Sequence, residues 1–149
     1  MNIAICSDEP YPIHDVAVQW LVDHGHTVVK FGSVKDQKEV LWTKVAIDAA
    51  KAVAKGTCEE GIFFCYSGTG ICMTANKIKG IRAALCTDAE TVRLARIWNH
   101  ANVLALSNRL TSADLLKEML VRWFKTPNND ARGQVGVDTL CSIEQHLSI

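Results

Sequence analysis

The sequence lacks an excess of charge of either sign, because its 16 basic residues are matched by 16 acidic ones. A neutral chain has no electrostatic footprint for nucleic acid, and no basic run is present that would hold it to an anionic lipid surface. No window approaches the roughly 18 apolar residues of a membrane-spanning helix. The first residues, MNIAICSDEP, lack the basic start of a signal peptide. We therefore expect a cytoplasmic protein that has neither nucleic acid nor a membrane as a partner.

Paired cysteines and proline-rich segments are missing as well. The six cysteines include no C-x-x-C pair, histidines do not cluster near them, and only three prolines occur in the chain. Cysteines in this arrangement are expected to be reduced thiols, and neither a metal nor a cofactor is expected. A thiol-redox function would need a resolving cysteine near the first, so this hypothesis is the weakest.

The chain does have enough apolar sequence for one core, since 48% of its 149 residues are hydrophobic. Short apolar runs alternate with amphipathic stretches. They predict strands at residues 2–7, 27–31, 60–64, 82–86 and 102–106, and helices at 15–24, 42–55, 71–77, 90–98, 112–125 and 139–147. Continuous apolar strands between helices indicate a parallel sheet covered on both faces. We expect a single domain over residues 1–149: a three-layer α/β/α sandwich with a Rossmann-like five-stranded parallel sheet.

The segment CYSGTGICMTANK, residues 65–77, carries the strongest chemical signal. Cys65 stands at the carboxyl end of a strand, where ligands bind in such sheets, and Ser67, Gly68 and Gly70 follow it before a helix. Glycines let backbone N–H groups turn toward an anion, and such amides would stabilise a thiolate. On this pattern alone, an ordinary strand–helix turn with Cys65 in the core is slightly favoured. The segment matches neither a dinucleotide fingerprint nor a P-loop.

The run GIFFCYSGTGICMTANKIKGIRAALCTD, followed by NHANVLALSNR, resembles the ribose-5-phosphate isomerase B family, which also includes the galactose-6-phosphate isomerase subunits. The resemblance covers nearly the whole chain, from Ser7 and Asp8 to the C-terminal arginine region. It implies aldose–ketose isomerisation of a small phosphorylated sugar through a cis-enediolate, without a metal. It also implies a homodimer or homotetramer with shared active sites, in which the tail from about residue 128 to 149 packs on a partner.

The resemblance assigns roles to individual residues. Cys65 stands where the family's base moves a proton between C1 and C2 of the sugar. Asp8 matches an aspartate that contacts sugar hydroxyls, and Asn99 matches the asparagine after the family's catalytic histidine. Arg109 and Arg132 match two phosphate-binding arginines, whose forked guanidinium groups suit a phosphate. Backbone amides of the loop would hold the enediolate oxygens, at Ser67, Gly68, Thr69 and Gly70, and the Ser67 hydroxyl would assist ring opening.

The departures from the family pattern cluster in the same pocket. Glu9 replaces a histidine on the phosphate side, Trp42 replaces a tyrosine of the sugar site, and Trp98 replaces the ring-opening histidine. Gly133 and Gly136 stand where the family has a histidine and a second arginine. Tryptophan cannot act as an acid or a base, so the substrate is either already linear or opened by another residue. A four-carbon aldose phosphate with its phosphate on O4 cannot close a furanose ring, and a tetrose phosphate therefore fits these changes.

Two hypotheses from different classes follow. One is an isomerase of the ribose 5-phosphate type with altered substrate preference. The other is a non-catalytic sugar-phosphate-binding protein, or the supporting subunit of a hetero-oligomeric isomerase. Cys65 favours the first, because a binding subunit has no use for a thiol base. The remaining residues singled out by type are expected in structural roles: His14, His24 and His26 at the surface, His100 at the surface or in an interface, Lys44 exposed, and Cys6, Cys72, Cys86, Trp20 and Trp123 in packing.

Overall fold

The computed structural model describes residues 1–146, which form a five-stranded, all-parallel sheet between two layers of helices. The strands are β1 Asn2–Ser7, β2 Thr27–Gly32, β3 Glu60–Cys65, β4 Ala83–Leu85 and β5 Val103–Ser107. The helices are α1 Ile13–Asp23, α2 Ser33–Asp36, α3 Trp42–Ala54, α4 Thr69–Ala75, α5 Ala89–Asn99, α6 Ala113–Lys125 and α7 Gln134–His146, with a 3-10 turn at Ala131–Gly133 before α7. The expected three-layer α/β/α architecture is confirmed.

In the strand order β2-β1-β3-β5-β4, successive strands are first added on one side of β1 and then on the other, so the strand order reverses between β1 and β3 at the centre of the sheet. The chain leaves β1 toward one edge to form β2, and it returns to the other side of β1 to form β3. Ser7, the last residue of β1, pairs with Phe64 near the end of β3, so the loops after these strands lie side by side. In open parallel sheets ligands bind at such a reversal, beyond the carboxyl ends of the strands.

Successive residues of each central strand point to opposite faces of the sheet and enter two separate cores. Ile5 and Phe64 pack on one face against α1, α5 and α6. Cys6 and Phe63 pack on the other face against α3 and α4. Cys6 and Cys86 are both buried, as predicted, so neither of these thiols faces the solvent.

Helix α1 begins two residues earlier than the sequence pattern predicts. Pro12 caps it with φ −58°, a value that the pyrrolidine ring presets for the first turn of a helix. The earlier start brings His14 onto the buried face of α1, together with Ala17 and Leu21 at helical spacing. The predicted start at residue 15 left His14 out of the helix.

The C-terminal helix is longer than predicted and begins at Gln134 instead of residue 139. The Asp130 side chain accepts a hydrogen bond from the backbone N–H of Arg132, which starts the 3-10 turn that leads into α7. This local cap acts in a polar stretch that has no apolar periodicity. The predicted last residue of this helix, 147, lies outside the described residues.

A buried ion pair connects the amino end of β3 to two helices on one face. Arg96 of α5 and Glu60 of β3 are both buried, with 2.7 Å between Arg96 Nη1 and Glu60 Oε1. Trp123 of α6 donates its Nε1–H to Glu60 Oε2 at 2.5 Å, and Arg96 Nε donates to the carbonyl oxygen of Thr126 at 3.0 Å. Each charge therefore has a partner, which is the condition for holding charges in a core.

Candidate active site

A cavity of about 280 Å³ lies at the carboxyl ends of β1 and β3, where the strand order reverses. The structure brings six of the predicted site residues onto its wall: Asp8, Trp42, Cys65, Ser67, Thr69 and Gly70. Tyr66 and Met73 complete the lining and were not predicted. Both belong to the segment of residues 65–77, so the sequence located the loop but not all of its contributing side chains.

Cys65 is the last residue of β3, and its side chain is almost fully buried. The backbone on both sides of the thiol is held by the loop after β5. Asn108 donates its backbone N–H to the carbonyl oxygen of Cys65 at 2.9 Å. The carbonyl oxygen of Tyr66 accepts from the Ser107 hydroxyl at 2.8 Å and from the Arg109 backbone N–H at 3.3 Å. These bonds fix where the thiol stands relative to the neighbouring strand.

The turn after Cys65 contains two glycines, and the first of them is required. Gly68 has φ +80°, and a Cβ atom there would lie 2.5 Å from Leu85 and 3.0 Å from the backbone of Leu106. The position therefore requires glycine both for its backbone angle and for its space. A Cβ atom on Gly70 would lie 3.0 Å from the ring of Trp42, which packs directly on this part of the loop. The indole of Trp42 thus forms one wall of the cavity.

Asp8 follows β1 and faces the same cavity from a buried position. Its Oδ1 atom is buried, and no group among residues 1–146 donates a hydrogen bond to it. Burial raises the pKa of the Asp8 carboxyl above its usual value, while its own backbone N–H acts in the opposite direction. The negative charge of Glu9 raises this pKa further. A buried carboxylate with an unused acceptor is suited to a ligand hydroxyl.

Glu9 and Arg109 lie next to the cavity residues without lining the cavity themselves. Glu9 Oε2 accepts a hydrogen bond from the Tyr11 hydroxyl at 3.3 Å. The Arg109 guanidinium lies 5.9 Å from the centre of the Tyr66 ring, and Tyr66 is part of the cavity wall. A cation therefore stands beside the mouth of the site.

Three predicted site residues lie at the opposite end of the sheet in the same chain. Helix α5 runs back from the carboxyl ends of the strands, so Trp98 and Asn99 at its end lie near the amino end of β5. Asn99 lines a separate groove of about 590 Å³ together with Leu140. Arg132 binds Asp130 at 2.8 Å and lies 5.8 Å from the Trp98 ring. One copy of the chain does not bring these residues to Cys65.

Gly133 has a steric reason to differ from the histidine of the family pattern. A Cβ atom there would lie 2.5 Å from the carbonyl oxygen of Ile97 and 2.7 Å from that of Trp98. With the 3-10 turn packed this closely on α5, no larger side chain fits. Gly136 has open space around its Cβ position, so the structure gives no reason for the absence of arginine there.

The predicted surface position of His14 is wrong, and so is the surface alternative predicted for His100. His14 is 2% exposed and its Nε2 atom lies 2.8 Å from Asn108 Oδ1. His100 is 5% exposed, because it follows α5 in a left-handed conformation with φ +46° and its Nε2 lies 2.8 Å from the carbonyl oxygen of Asp130. The spacing of His14 from Ala17 is the sequence signal that could have placed it in the core.

The other residues expected in structural roles mostly agree with prediction. His24 and Lys44 are exposed, and Lys44 pairs with Asp48 at 3.0 Å on the outer face of α3. His26, predicted at the surface, is half-buried against the ring of Phe124. Trp123 is fully buried, and Trp20 is half-buried in contact with the same core.

Three of the other cysteines are poor candidates for a base. Burial raises the pKa of the Cys6 and Cys72 thiols, and it raises that of Cys86 to about 12. Cys72 donates its Sγ–H to the carbonyl oxygen of Ala83 at 3.4 Å, which is the predicted packing role. These thiols stay protonated at neutral pH. Cys65 is distinguished from them by its place on the cavity wall.

Among residues 1–146, no group of three or more His, Cys, Asp or Glu side chains is arranged to hold a metal ion. None of the helices in this range combines the length and the apolar character that crossing a membrane requires.

Comparisons with known proteins agree with the fold and identify a family. Residues 3–140 match the family model described as ribose/galactose isomerase. The D-erythrulose-4-phosphate isomerase of Pectobacterium atrosepticum is 33% identical over 124 residues, which cover 83% of this chain and 82% of that protein. The ribose-5-phosphate isomerase B of Escherichia coli is 33% identical over 132 residues, covering 89% and 87%. The solved structure of Clostridium thermocellum ribose-5-phosphate isomerase B aligns with TM-score 0.93 and 34% identity, over 99% of this chain and 100% of that one.

The chain has an open parallel sheet with a cysteine–glycine loop where the strand order reverses, and it aligns with a solved isomerase over nearly the full length of both chains. The fold and the site are therefore those of a sugar-phosphate isomerase. The chain belongs to the ribose/galactose isomerase family. It is an enzyme of the aldose–ketose isomerase class, and the resemblance drawn from the sequence is confirmed.

Proposed function

We propose that this enzyme interconverts a small phosphorylated aldose and its ketose through a cis-enediolate, with Cys65 as the base. The observation that carries the proposal is the position of Cys65, on the wall of the cavity at the strand reversal with its backbone fixed by the β5 loop. A thiolate there takes the proton from the carbon next to the carbonyl and returns it to the neighbouring carbon. The hydroxyl proton on O2 passes to O1 in the same conversion, so atoms and electrons balance within the sugar and the step requires no metal or cofactor.

The other cavity residues have matching roles in this mechanism. The backbone N–H groups of the loop from Ser67 to Gly70 stabilise the negative oxygens of the enediolate. Asp8 accepts hydrogen bonds from the sugar hydroxyls through its carboxylate. Arg109, beside Tyr66 at the cavity mouth, is the phosphate-binding cation of the same chain.

The active site is completed by a second copy of the chain. Asn99 and Arg132 lie at the amino end of the sheet, whereas Cys65 lies at the carboxyl end, so one chain does not present them to one sugar. The exposed face of α7 carries Leu140 and Ile143, apolar side chains that favour burial against a partner. The single domain of residues 1–149 thus forms a homodimer or homotetramer, with its tail packed on a neighbour. The assembly acts in the cytoplasm, as the sequence predicts.

The preferred substrate is a tetrose phosphate. Trp98 supplies no acid or base for opening a furanose ring, and a four-carbon aldose with its phosphate on O4 forms no such ring. Trp42, which replaces the family's tyrosine, packs on Gly70 and forms one wall of the cavity. A relative that matches most of this chain is named D-erythrulose-4-phosphate isomerase. Ribose 5-phosphate is the five-carbon alternative, as the name of another relative indicates.

A substrate panel followed by NMR tests this proposal. The wild-type protein, Cys65→Ala and Cys58→Ala are incubated with four-, five- and six-carbon aldose and ketose phosphates. Cys58 precedes β3 at the amino end of the sheet, away from the cavity, and serves as the control. We expect kcat/KM to be highest for the four-carbon pair, and we expect Cys65→Ala to lose at least about 100-fold in kcat while Cys58→Ala keeps its activity.

The outcomes of the panel separate the parts of the proposal. A higher kcat/KM for ribose 5-phosphate would overturn the tetrose assignment and leave the isomerase in place. A wild-type protein that binds sugar phosphates but isomerises none would instead indicate the binding protein or supporting subunit.

A further inference from the structure

His14 is a buried histidine with no role in the proposed proton transfer, and two hydrogen bonds connect it to Cys65 through Asn108. His14 of α1 is 2% exposed, its ring packs 4.9 Å from that of Phe64, and its Nε2 lies 2.8 Å from Asn108 Oδ1. Asn108 is also buried, and its backbone N–H is the group that holds the carbonyl oxygen of Cys65 at 2.9 Å. His14 is therefore one residue removed from the proposed base.

The hydrogen bonds around His14 fix which of its nitrogens carries the proton. The backbone N–H of Tyr11 points at His14 Nδ1 at 3.4 Å, and a backbone N–H is only ever a donor. Nδ1 must therefore be the unprotonated nitrogen of this contact. Nε2 then carries the hydrogen and donates it to Asn108 Oδ1, which orients the amide without ambiguity.

The remaining bonds continue in the same direction. With its oxygen toward His14, Asn108 donates from Nδ2 to Ser7 Oγ at 3.2 Å. The Ser7 hydroxyl donates in turn to the carbonyl oxygen of Glu9 at 2.9 Å. This series of hydrogen bonds thus starts at the backbone N–H of Tyr11 and ends at the carbonyl oxygen of Glu9, two residues earlier in the sequence. It therefore holds both of these residues in the segment that follows Asp8.

We propose that His14 is a positioning residue, held in its neutral Nε2–H form. Through Asn108 it fixes the position of the segment after β1, which carries Asp8, relative to Cys65 at the end of β3. The inference rests on the proposed isomerase function, because it gives a role to the distance between the base and the group that binds the sugar hydroxyls. An imidazolium would present a second N–H to the Tyr11 donor and would break this series of hydrogen bonds at its start. Small displacements of a base relative to its substrate cost large factors in rate.

The surroundings of His14 favour the neutral ring. Burial lowers the pKa of His14 below its ordinary value of 6.5. The hydrogen bond to Asn108 and the negative charge of Asp15, next to it on α1, act in the opposite direction without cancelling this effect. A pKa lowered from 6.5 favours the neutral ring at pH 7 and above.

Two variants of His14 and one matched control test the proposal. His14→Phe keeps a ring against Phe64 but removes both polar atoms, whereas His14→Gln keeps an amide N–H that can donate to Asn108. His24→Phe makes the same substitution at an exposed histidine just after α1. We expect kcat to fall by about tenfold or more in His14→Phe with a smaller change in KM, to recover largely in His14→Gln, and to stay at the wild-type value in His24→Phe.

Nitrogen NMR of the free wild-type protein provides a readout that needs no substrate. We expect the His14 ring to show protonated Nε2 and unprotonated Nδ1 at pH 7. A ring protonated on Nδ1, or on both nitrogens, would overturn the proposal. So would a folded His14→Phe with wild-type kcat, because a merely structural role predicts lost stability and unchanged turnover.

The remaining outcomes are also decisive. If His14→Phe does not fold, His14→Gln and the NMR spectrum decide. A folded His14→Gln whose kcat is about tenfold or more below the wild-type value contradicts the donor role. A wild-type protein that isomerises no sugar phosphate refutes the proposed function, and the proposal for His14 falls with it whatever its tautomer. Wild-type activity with a His14→Phe equal to the control refutes the positioning role alone.

Discussion

Cys65 differs from the thiols near it in its position in the fold. Cys6 lies on the neighbouring strand β1 and Cys72 lies in α4, seven residues after Cys65; burial raises the pKa of both thiols and keeps them protonated. Cys65 ends a strand beside a glycine turn and borders the cavity. The chemistry proposed here thus depends on where β3 stops.

The carboxyl group of Asp8 can be followed directly as the protein is acidified. Because burial raises its pKa, the carboxylate proposed to accept sugar hydroxyls is lost at a pH above the ordinary value of 3.8. We expect the carbon NMR signal of the Asp8 carboxyl group to titrate above pH 3.8. Asp8→Asn should lower kcat/KM by about tenfold or more at neutral pH.

The control for Asp8 is Asp48→Asn, which changes an exposed carboxylate on the outer face of α3. It should leave both kcat/KM and the titration of the Asp8 carboxyl group as in the wild-type protein. An Asp8 signal that titrates at or below pH 3.8 would contradict the effect of burial on this group.

At the scale of secondary structure, the sequence predicts the central strands β1, β3 and β5 well, because they are buried on both faces and form continuous apolar runs. It predicts less about helix starts, which depend on caps such as Pro12 and Asp130. The sequence located the cysteine loop of the candidate site from its glycines. It did not reveal the pair of His14 and Asn108, whose contact joins residues 94 positions apart and depends on how α1 packs.

The ion pair of Glu60 and Arg96 is the contact between elements with the largest expected effect on stability. Removing one partner of a buried pair leaves the other charge without compensation, so Arg96→Met should lower the free energy of unfolding by about 3–5 kcal/mol. Urea denaturation measures this loss. The double variant Arg96→Met/Glu60→Gln should recover part of it, because the glutamine is neutral and still accepts from Trp123.

A different result would change the interpretation of this cluster. If Arg96→Met loses less than about 1 kcal/mol, the pair contributes no more than an exposed one does. If the double variant is as unstable as Arg96→Met, the uncompensated charge of Glu60 is not the cause.

At the scale of the whole molecule, the two groups of predicted site residues lie at opposite ends of the sheet. Cys65 and Asp8 occupy the carboxyl end, and Asn99 and Arg132 occupy the amino end. A sequence alone does not distinguish residues that meet within one chain from residues that meet between two copies. The α7 face with Leu140 and Ile143 exposed points to the second arrangement.

Mixing two inactive variants tests whether active sites are shared. Cys65→Ala and Arg132→Ala are each expected to be inactive as purified proteins. In a mixed dimer with shared sites, one site carries both substitutions and the other carries neither. After unfolding and refolding together in equal amounts, about a quarter of the wild-type activity should return, because half of the dimers are mixed and each has one intact site.

Refolding each variant separately is the control for this experiment and should return no activity. A mixture that also stays inactive, although light scattering shows dimers, would place both residues in a site formed by one chain.

The most direct test of the isomerase mechanism is proton exchange in D₂O. With the preferred sugar phosphate, the wild-type protein should introduce deuterium at C1 or C2 of the product, because the proton passes through the Cys65 thiol and exchanges with solvent. Cys65→Ala should still bind the sugar phosphate, seen as ligand-induced NMR shifts, and should introduce no deuterium. Deuterium entering the sugar at the wild-type rate in Cys65→Ala would contradict the assignment of Cys65 as the base.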